Sequence, residues 1–310
     1  MAKVVRHPDF QEDLVLAFGN LKIRWIIGPR HDRLFGRRIL LPWALPEARL
    51  LSPDTETDVT VGVFLDVARH ERTREFYEST GLRFMLLGEP ELRAPVGDGV
   101  YGFFQGPLAS DDPRWVRYCP LLLTWAPPLS AAKTKPLSAI ESRKRHWRVK
   151  AAKRLGKRAG FLDGFGSGFG KPLGGYHAAT EHAAVFQKYQ GLAEYAFHFA
   201  HERLSLLDYL SEKFFDPIVC ECVPIYAGCT NILDYAVPEC FIRLDEADRI
   251  DWRNWQAEYA RRRRYVRHQK ELFRTTFNFL SYFVRLAKSP ELLANRRPLS
   301  LLGKSQAQAA

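Results

Sequence analysis

The chain alternates between short apolar runs and polar stretches of helical spacing. Residues 59–67 (VTVGVFLDV) form a β-branched, apolar run that follows turn residues. Residues 71–80 are polar and helical in composition, and Gly81 stops them. A second apolar run, 82–87 (LRFMLL), comes next. Strand, helix, strand at this spacing is a βαβ unit, which predicts a parallel sheet. Residues 88–120 are rich in Gly and Pro and read as loops, and 121–125 are a short strand candidate. Pro127, Pro128 and Pro136 interrupt regular structure, so a domain boundary is expected near 127–137.

The same rhythm returns after the prolines. Short strands are expected at 138–140 and 161–162, with a basic helix over 146–157 between them, ended by Gly156 or Gly160. Gly164 to Gly175 reads as a glycine-rich loop; its spacing does not fit a dinucleotide fingerprint opening a helix. Residues 195–199 form a strand with aromatics at every second position. A helix is expected from Ser211 to about Cys220, shortened or kinked by Pro217, and then a strand over 223–226. Residues 251–287 read as one long helix whose apolar stripe is Tyr259, Val266, Phe273, Phe277, Leu280 and Val284. Repeated alternation of strand and helix predicts an α/β fold.

Composition narrows the class. With 310 residues, 46% hydrophobic and 26% charged, the chain is ordinary globular protein, long enough for two domains. No apolar run approaches the ~20 residues that span a bilayer, and the N-terminus has no apolar core of a secretory signal. Five cysteines are too few, and odd in number, for a disulfide framework, so a reducing, cytoplasmic setting is expected.

Charge is concentrated. Residues 133–160 carry a net +10 and residues 261–274 a net +6, so the rest of the chain is mildly acidic against the total of +11. Two basic patches suggest an anionic partner, either a nucleotide phosphate, an anionic membrane surface or a nucleic acid; the plainer alternative is a solvated helix face. No nucleic-acid-binding motif accompanies them. Cys220, Cys222, Cys229 and Cys240 lack the paired spacing of a zinc site and read as core thiols. Asp54, Glu56 and Asp58 read as a solvated loop.

The strongest chemical signal is 195–228. A helix starting at Ser211 has a hydroxyl N-cap, free N–H groups in its first turn, and Lys213 within that turn. That combination suits a pyrophosphate. Glu212 beside it could accept hydroxyl hydrogen bonds from a sugar. The alternative is a capped surface helix with a solvated Glu–Lys pair.

Tyr195, Phe197, Glu202, then Tyr209, Ser211, Glu212 and Lys213, then Pro224, Ile225, Tyr226 and Gly228 stand in an order that resembles the donor-binding signature of family-ten glycosyltransferases, the α1,3/4-fucosyltransferases. Pro238, Phe241 and Ile242 downstream, 161–166 (FLDGFG) upstream and Lys188 are similar too. The resemblance covers about 138–245 and thins before that.

The resemblance implies a GT-B-like fold with two Rossmann-like domains facing a cleft. It divides the chain into an acceptor-side domain (1–130), a donor-binding domain (131–250) and a C-terminal basic amphipathic helix and tail (251–310). It implies GDP-fucose as donor, no required cofactor or metal, and inverting transfer to a glycan hydroxyl in surface polysaccharide or lipopolysaccharide synthesis. Lys213 is then expected on the diphosphate with Glu212 beside it and Tyr209 in the same loop. Arg148 matches the arginine that neutralises the phosphates. Tyr176, Glu202, Arg203 and Ser211 complete the donor set. Glu89 resembles the family's general base, and it directly follows the 82–87 strand, where active-site groups of open α/β sheets gather. Residues 261–274 are expected on an anionic membrane surface, placing the protein in the cytoplasm, peripheral on the inner face. Two positions depart from the family pattern: Arg203 stands where an Asn is usual, and Arg143 follows Ser142 where an Asn is usual. Either Arg203 turns to the phosphates, or the donor is a different nucleotide sugar.

Overall fold

The β-branched and aromatic runs of the N-terminal half do form strands, and they are parallel where the alternation predicted it. In the computed structural model, residues 14–27, 48–52, 54–64, 76–79, 82–87, 100–104, 115–117, 132–142, 146–171, 173, 189, 191–275, 277 and 288 are described. The chain divides into two units, residues 1–123 with 275–310, and residues 124–274.

The first unit is built on a seven-stranded sheet. Its strands are β1 (Leu14–Phe18), β2 (Leu21–Ile27), β3 (Ala48–Leu50), β4 (Val59–Phe64), β5 (Leu82–Leu87), β6 (Val100–Phe104) and β7 (Trp115–Arg117), in the order β3-β1-β2-β4-β5-β6-β7. From β2 to β7 all neighbours are parallel. The expected strand over 59–67 is β4, and 82–87 is β5 as expected. Two corrections concern the rest. Strands β6 and β7 lie within the stretch read as loops. At the other edge, β1 pairs antiparallel with β2 and with β3, which alternation alone did not predict. The signal was Gly19-Asn20 between two apolar runs: Gly19 takes φ +64 in the two-residue turn, a conformation tight hairpins need and glycine supplies.

The second unit carries a five-stranded, all-parallel sheet of β8 (Lys135–Ile140), β9 (Asp163–Phe165), β10 (Tyr195–His201), β11 (Val223–Ala227) and β12 (Ile242–Arg243). The order is β12-β11-β10-β8-β9. Helix α1 (His146–Ala159) links β8 to β9, and α2 (Glu212–Val219) links β10 to β11. Strand β10 is buried on both faces, since Ala196, His198 and Ala200 are as enclosed as Tyr195, Phe197 and Phe199. Its apolar run is therefore a central parallel strand rather than a half-exposed one. His198 is satisfied there by the Ser138 hydroxyl at 2.8 Å.

Several boundaries move for physical reasons. Pro136 lies inside β8 rather than ending structure, at a position where β8 pairs only with β10; β9 joins from Ser138 onward, so the missing N–H is tolerated. The strand expected at 161–162 is instead Asp163–Phe165, so the glycine-rich stretch begins as a strand. Helix α1 runs through Gly156, which packs against Leu162, and ends at Gly160 with φ +68. Helix α2 stops two residues beyond Pro217. The long C-terminal helix, expected over 251–287, is α3 (Trp255–Thr275), with Phe277 in a bend. Its stripe residues Tyr259, Val266 and Phe273 are buried, and so is Phe277; Leu280 and Val284 fall outside the described residues. The candidate strand 121–125 also falls outside them, as do Pro127 and Pro128.

Candidate active site

In an open parallel sheet, ligands sit beyond the carboxyl ends of the strands where the strand order reverses. Here β9 lies to one side of β8 and β10 to the other. The reversal therefore falls between β8 and β10, and among the described residues Glu141, Arg148, Glu202, Glu212 and Lys213 collect there.

Glu202 follows β10 and is fully buried. It accepts hydrogen bonds from the Ser211 backbone N–H at 2.8 Å and from the Ser211 hydroxyl at 2.8 and 2.6 Å on its two oxygens. Lys213 Nζ lies 3.6 Å from it, and 3.1 Å from Glu212 Oε1. Ser211 is the N-cap of α2, its hydroxyl accepting from the Lys213 N–H at 3.3 Å. One serine thus caps the helix and tethers the carboxylate. Burial pushes the Glu202 carboxyl up against the pull of Lys213. Burial works the other way on Lys213, but Glu212 and Glu202 outweigh it and hold the ammonium charged. Lys213 and Glu212 are only 27% and 30% exposed, so the pair is not a freely solvated one.

The loop between β10 and α2 is held from below. Asp208 takes φ +57. Its N–H donates to Asn231 Oδ1 at 2.8 Å, and its carboxylate accepts from Asn231 Nδ2 at 2.7 Å and from the Tyr235 hydroxyl. Tyr209, next in sequence, is buried. Gly228, after β11, leaves room for Glu202: a Cβ at Gly228 would sit 2.3 Å from Glu202 Cγ and 2.6 Å from the Tyr226 hydroxyl.

The other half of the site comes from β8 and α1. Arg148 is buried on the inner face of α1 and donates to the His201 carbonyl at 2.8 Å. Its Nε lies 3.0 Å from Glu141 Oε2, an ion pair without hydrogen-bond alignment. Glu141, one residue past β8, is 4% exposed in its side chain. Burial pushes its carboxyl up to about 7, against Arg148 and Lys213. The reading of the sequence missed Glu141; the signal was a lone acid in the basic stretch, placed immediately after a strand. His201 donates its Nδ1–H to the Glu202 carbonyl at 2.9 Å, and its ring meets the Trp147 ring edge-on at 4.5 Å.

Of the residues expected at a donor site, the structure gathers Arg148, Glu202, Ser211, Glu212 and Lys213, with Tyr209 buried on the adjoining loop and Arg203 half-buried beside Glu202. Glu89 and Tyr176 lie outside the described residues. Among the described residues no three His, Cys, Asp or Glu side chains gather as a metal cluster. Cys220, Cys222, Cys229 and Cys240 are buried free thiols. Among the described residues no helix is long and apolar enough to cross a membrane.

Residues 131–286 match the model of the C-terminal part of glycosyltransferase family 10 (fucosyltransferase). The chain belongs to that family. This glycosyltransferase is also similar to solved structures of alpha1,3-fucosyltransferase. One covers 84% of this chain and 85% of its own at 14% identity, with a TM-score of 0.44. Another, with GDP, covers 92% and 94% at 14% identity and 0.46. A third, with GDP-fucose, covers 86% and 80% at 15% identity and 0.40. The family match takes in the whole Arg148, Glu202 and Ser211–Lys213 cluster.

In the basic stretch 261–274 most cations pair with acids of the same unit. Arg261 and Arg262 pair with Glu258; Arg263, Arg267 and Lys270 surround Glu221; Arg274 pairs with Glu271. Arg264 lies over the ring of Tyr265 at 4.6 Å.

Proposed function

We propose that this family-ten glycosyltransferase transfers fucose from GDP-fucose to a hydroxyl of a glycan acceptor, in an α1,3/4 linkage, by a single inverting displacement. The observation that carries the reading is the capped N-terminus of α2 with Lys213, standing at the strand-order reversal beside Arg148. As the bond between fucose C1 and the diphosphate oxygen breaks, negative charge grows on the leaving GDP. Lys213, Arg148 and the helix end are fixed charges suited to stabilise it. The acceptor oxygen attacks C1 from the opposite face and gives up its proton to a carboxylate; we assign that base to Glu89 on the family resemblance.

The experiment is calorimetric titration with GDP, GDP-fucose, GDP-mannose and a UDP-sugar, with a transfer assay alongside. Binding confined to GDP and GDP-fucose is expected. Lys213→Ala and Glu89→Ala each reduce kcat/KM by about 100-fold or more. Retained activity in both variants overturns the reading, and preference for another nucleotide sugar reassigns the donor, with Arg203 the first residue to change.

We place the enzyme in the cytoplasm, peripheral on the inner face of the membrane, with a lipid-linked acceptor for surface polysaccharide or lipopolysaccharide. The cations of α3 support an anionic-membrane contact. Their pairing with Glu221, Glu258 and Glu271 makes the expected affinity weak and salt-sensitive. Co-sedimentation with anionic but not neutral vesicles tests it; equal recovery with both counts against it.

A further inference from the structure

Arg148 is enclosed within the protein. One arm donates to the His201 carbonyl at 2.8 Å, and Nε lies 3.0 Å from Glu141. Both side chains of the pair are less than a tenth exposed. Glu141 is itself held hard in place. Its N–H donates to the Phe165 carbonyl at 3.0 Å and its carbonyl accepts from the Gly168 N–H at 2.9 Å. Gly166 and Gly168 pack so closely on that carbonyl that a Cβ would stand 2.5 and 2.9 Å from it. Residues 166–168 therefore serve as a clamp on Glu141.

Among the described residues, the charges that act on Glu141 are Arg148 from α1, Lys213 and Glu212 from α2, and Glu202 from the end of β10. The clamp from 166 to 168 presents only backbone and a serine. Among the described residues, Glu141, Glu202 and Glu212 thus share Arg148 and Lys213. A diphosphate that binds Arg148 and Lys213 takes over their positive charge and adds its own negative charge. A buried carboxylate left beside it is then favoured in its neutral form.

We propose that Glu141 is a positioning residue for Arg148 and that it takes up a proton from solution when an anionic diphosphate binds. The proposal rests on the donor reading above. In the free protein Glu141 aims the guanidinium. In the complex its neutral carboxyl still stands beside Arg148 without opposing the phosphates. Its carboxyl, already raised by burial to about 7, stands close to the protonation point at neutral pH.

The test is calorimetry of GDP-fucose binding without acceptor, near pH 7.5, in buffers of low and high ionisation enthalpy. GDP-fucose is the probe because its diphosphate diester does not itself titrate near neutrality. Uptake of a fraction of a proton per donor is expected in the wild type and none in Glu141→Gln. Glu141→Gln keeps affinity within a few-fold, because the amide has the carboxyl's shape and leaves Arg148 held by the His201 carbonyl. Buffer-independent heat in the wild type, or unchanged uptake in Glu141→Gln, overturns the proposal.

A second measurement needs neither variant nor donor. The NMR signal of the Arg148 Nε–H is followed between pH 5 and 9 in the free protein. A transition centred near 7 is expected, and a flat signal overturns the coupling. If no nucleotide binds while that signal titrates, the donor reading has failed and the Glu141–Arg148 pair stands.

Discussion

Helices α1 and α3 are the two basic helices of the same unit, and their cations do opposite work. On α1, Arg148 turns inward to the strand-order reversal, while Lys150, Lys153, Arg154 and Lys157 lie exposed along one stripe of a helix that has no acid of its own. On α3, Arg261, Arg262, Arg263, Arg267 and Lys270 close on Glu258 and Glu221. Net charge in a window of sequence made these regions look alike. The difference comes from acids that the window does not hold: Glu221 belongs to the turn after α2, and Tyr259 of α3 also donates to its carbonyl at 2.9 Å. Much of the α3 charge fastens a helix to its own unit. The inward charge of α1 stands instead at the strand-order reversal, beside Glu141.

The sharpest way to break that contrast is to remove one arginine from each helix. Arg148→Ala is expected to weaken GDP-fucose binding by about 100-fold or more, because a buried, charge-assisted contact is lost. It also lowers stability by about 3–5 kcal/mol, since Glu141 is left buried without its partner. Arg267→Ala removes a half-exposed cation from a carboxylate that keeps Lys270 and Arg263. A loss of about 0.5 kcal/mol and unchanged donor affinity are expected. Calorimetry and urea unfolding on both variants decide it. Comparable effects from the two would mean that the helices do not differ in role.

How much was legible follows the same line. The Ser211, Glu212 and Lys213 cluster was readable because a helix cap is local: hydroxyl, acid and lysine occupy consecutive positions, and the chain direction sets where the N–H groups point. The β5 strand and the α1 span were readable from apolar runs and a terminating glycine. Pairings between distant segments were not. Nothing in the local pattern brings Glu221 to Arg267, or joins Asp208 to Asn231 and Tyr235. Glu141 was visible as a residue but not as a partner, because its meaning depends on the glycine clamp arriving from beyond β9. The antiparallel edge of the first sheet differs again, because its local signal is confined to the two residues Gly19 and Asn20.

A smaller effect separates the regions by the sign of their pH dependence. Burial pushes Glu221 up, but hydrogen bonding from Arg267 and the charge of Lys270 outweigh it and hold the carboxyl below the ordinary value of 4.5. A group depressed in this way adds stability above its unfolded pKa and loses it as the pH falls through the folded one. Glu221→Gln should therefore cost about 1–2 kcal/mol at pH 7, less as more of the anchor is screened by salt, and nothing once acid has neutralised the wild-type carboxyl. Glu141 runs the other way. Its carboxyl is raised, so between 4.5 and about 7 the folded state holds more proton than the unfolded one, and its contribution grows as the pH falls through that window. Urea midpoints from about pH 2 to 8 should show the Glu221→Gln curve converging on the wild type in acid. The Glu141→Gln curve should be more stable relative to wild type at the alkaline end and lose that advantage toward acid. Parallel curves for both variants would show that neither carboxylate is shifted by its setting, and the division between an anchoring helix and a chemical one would lose its electrostatic basis.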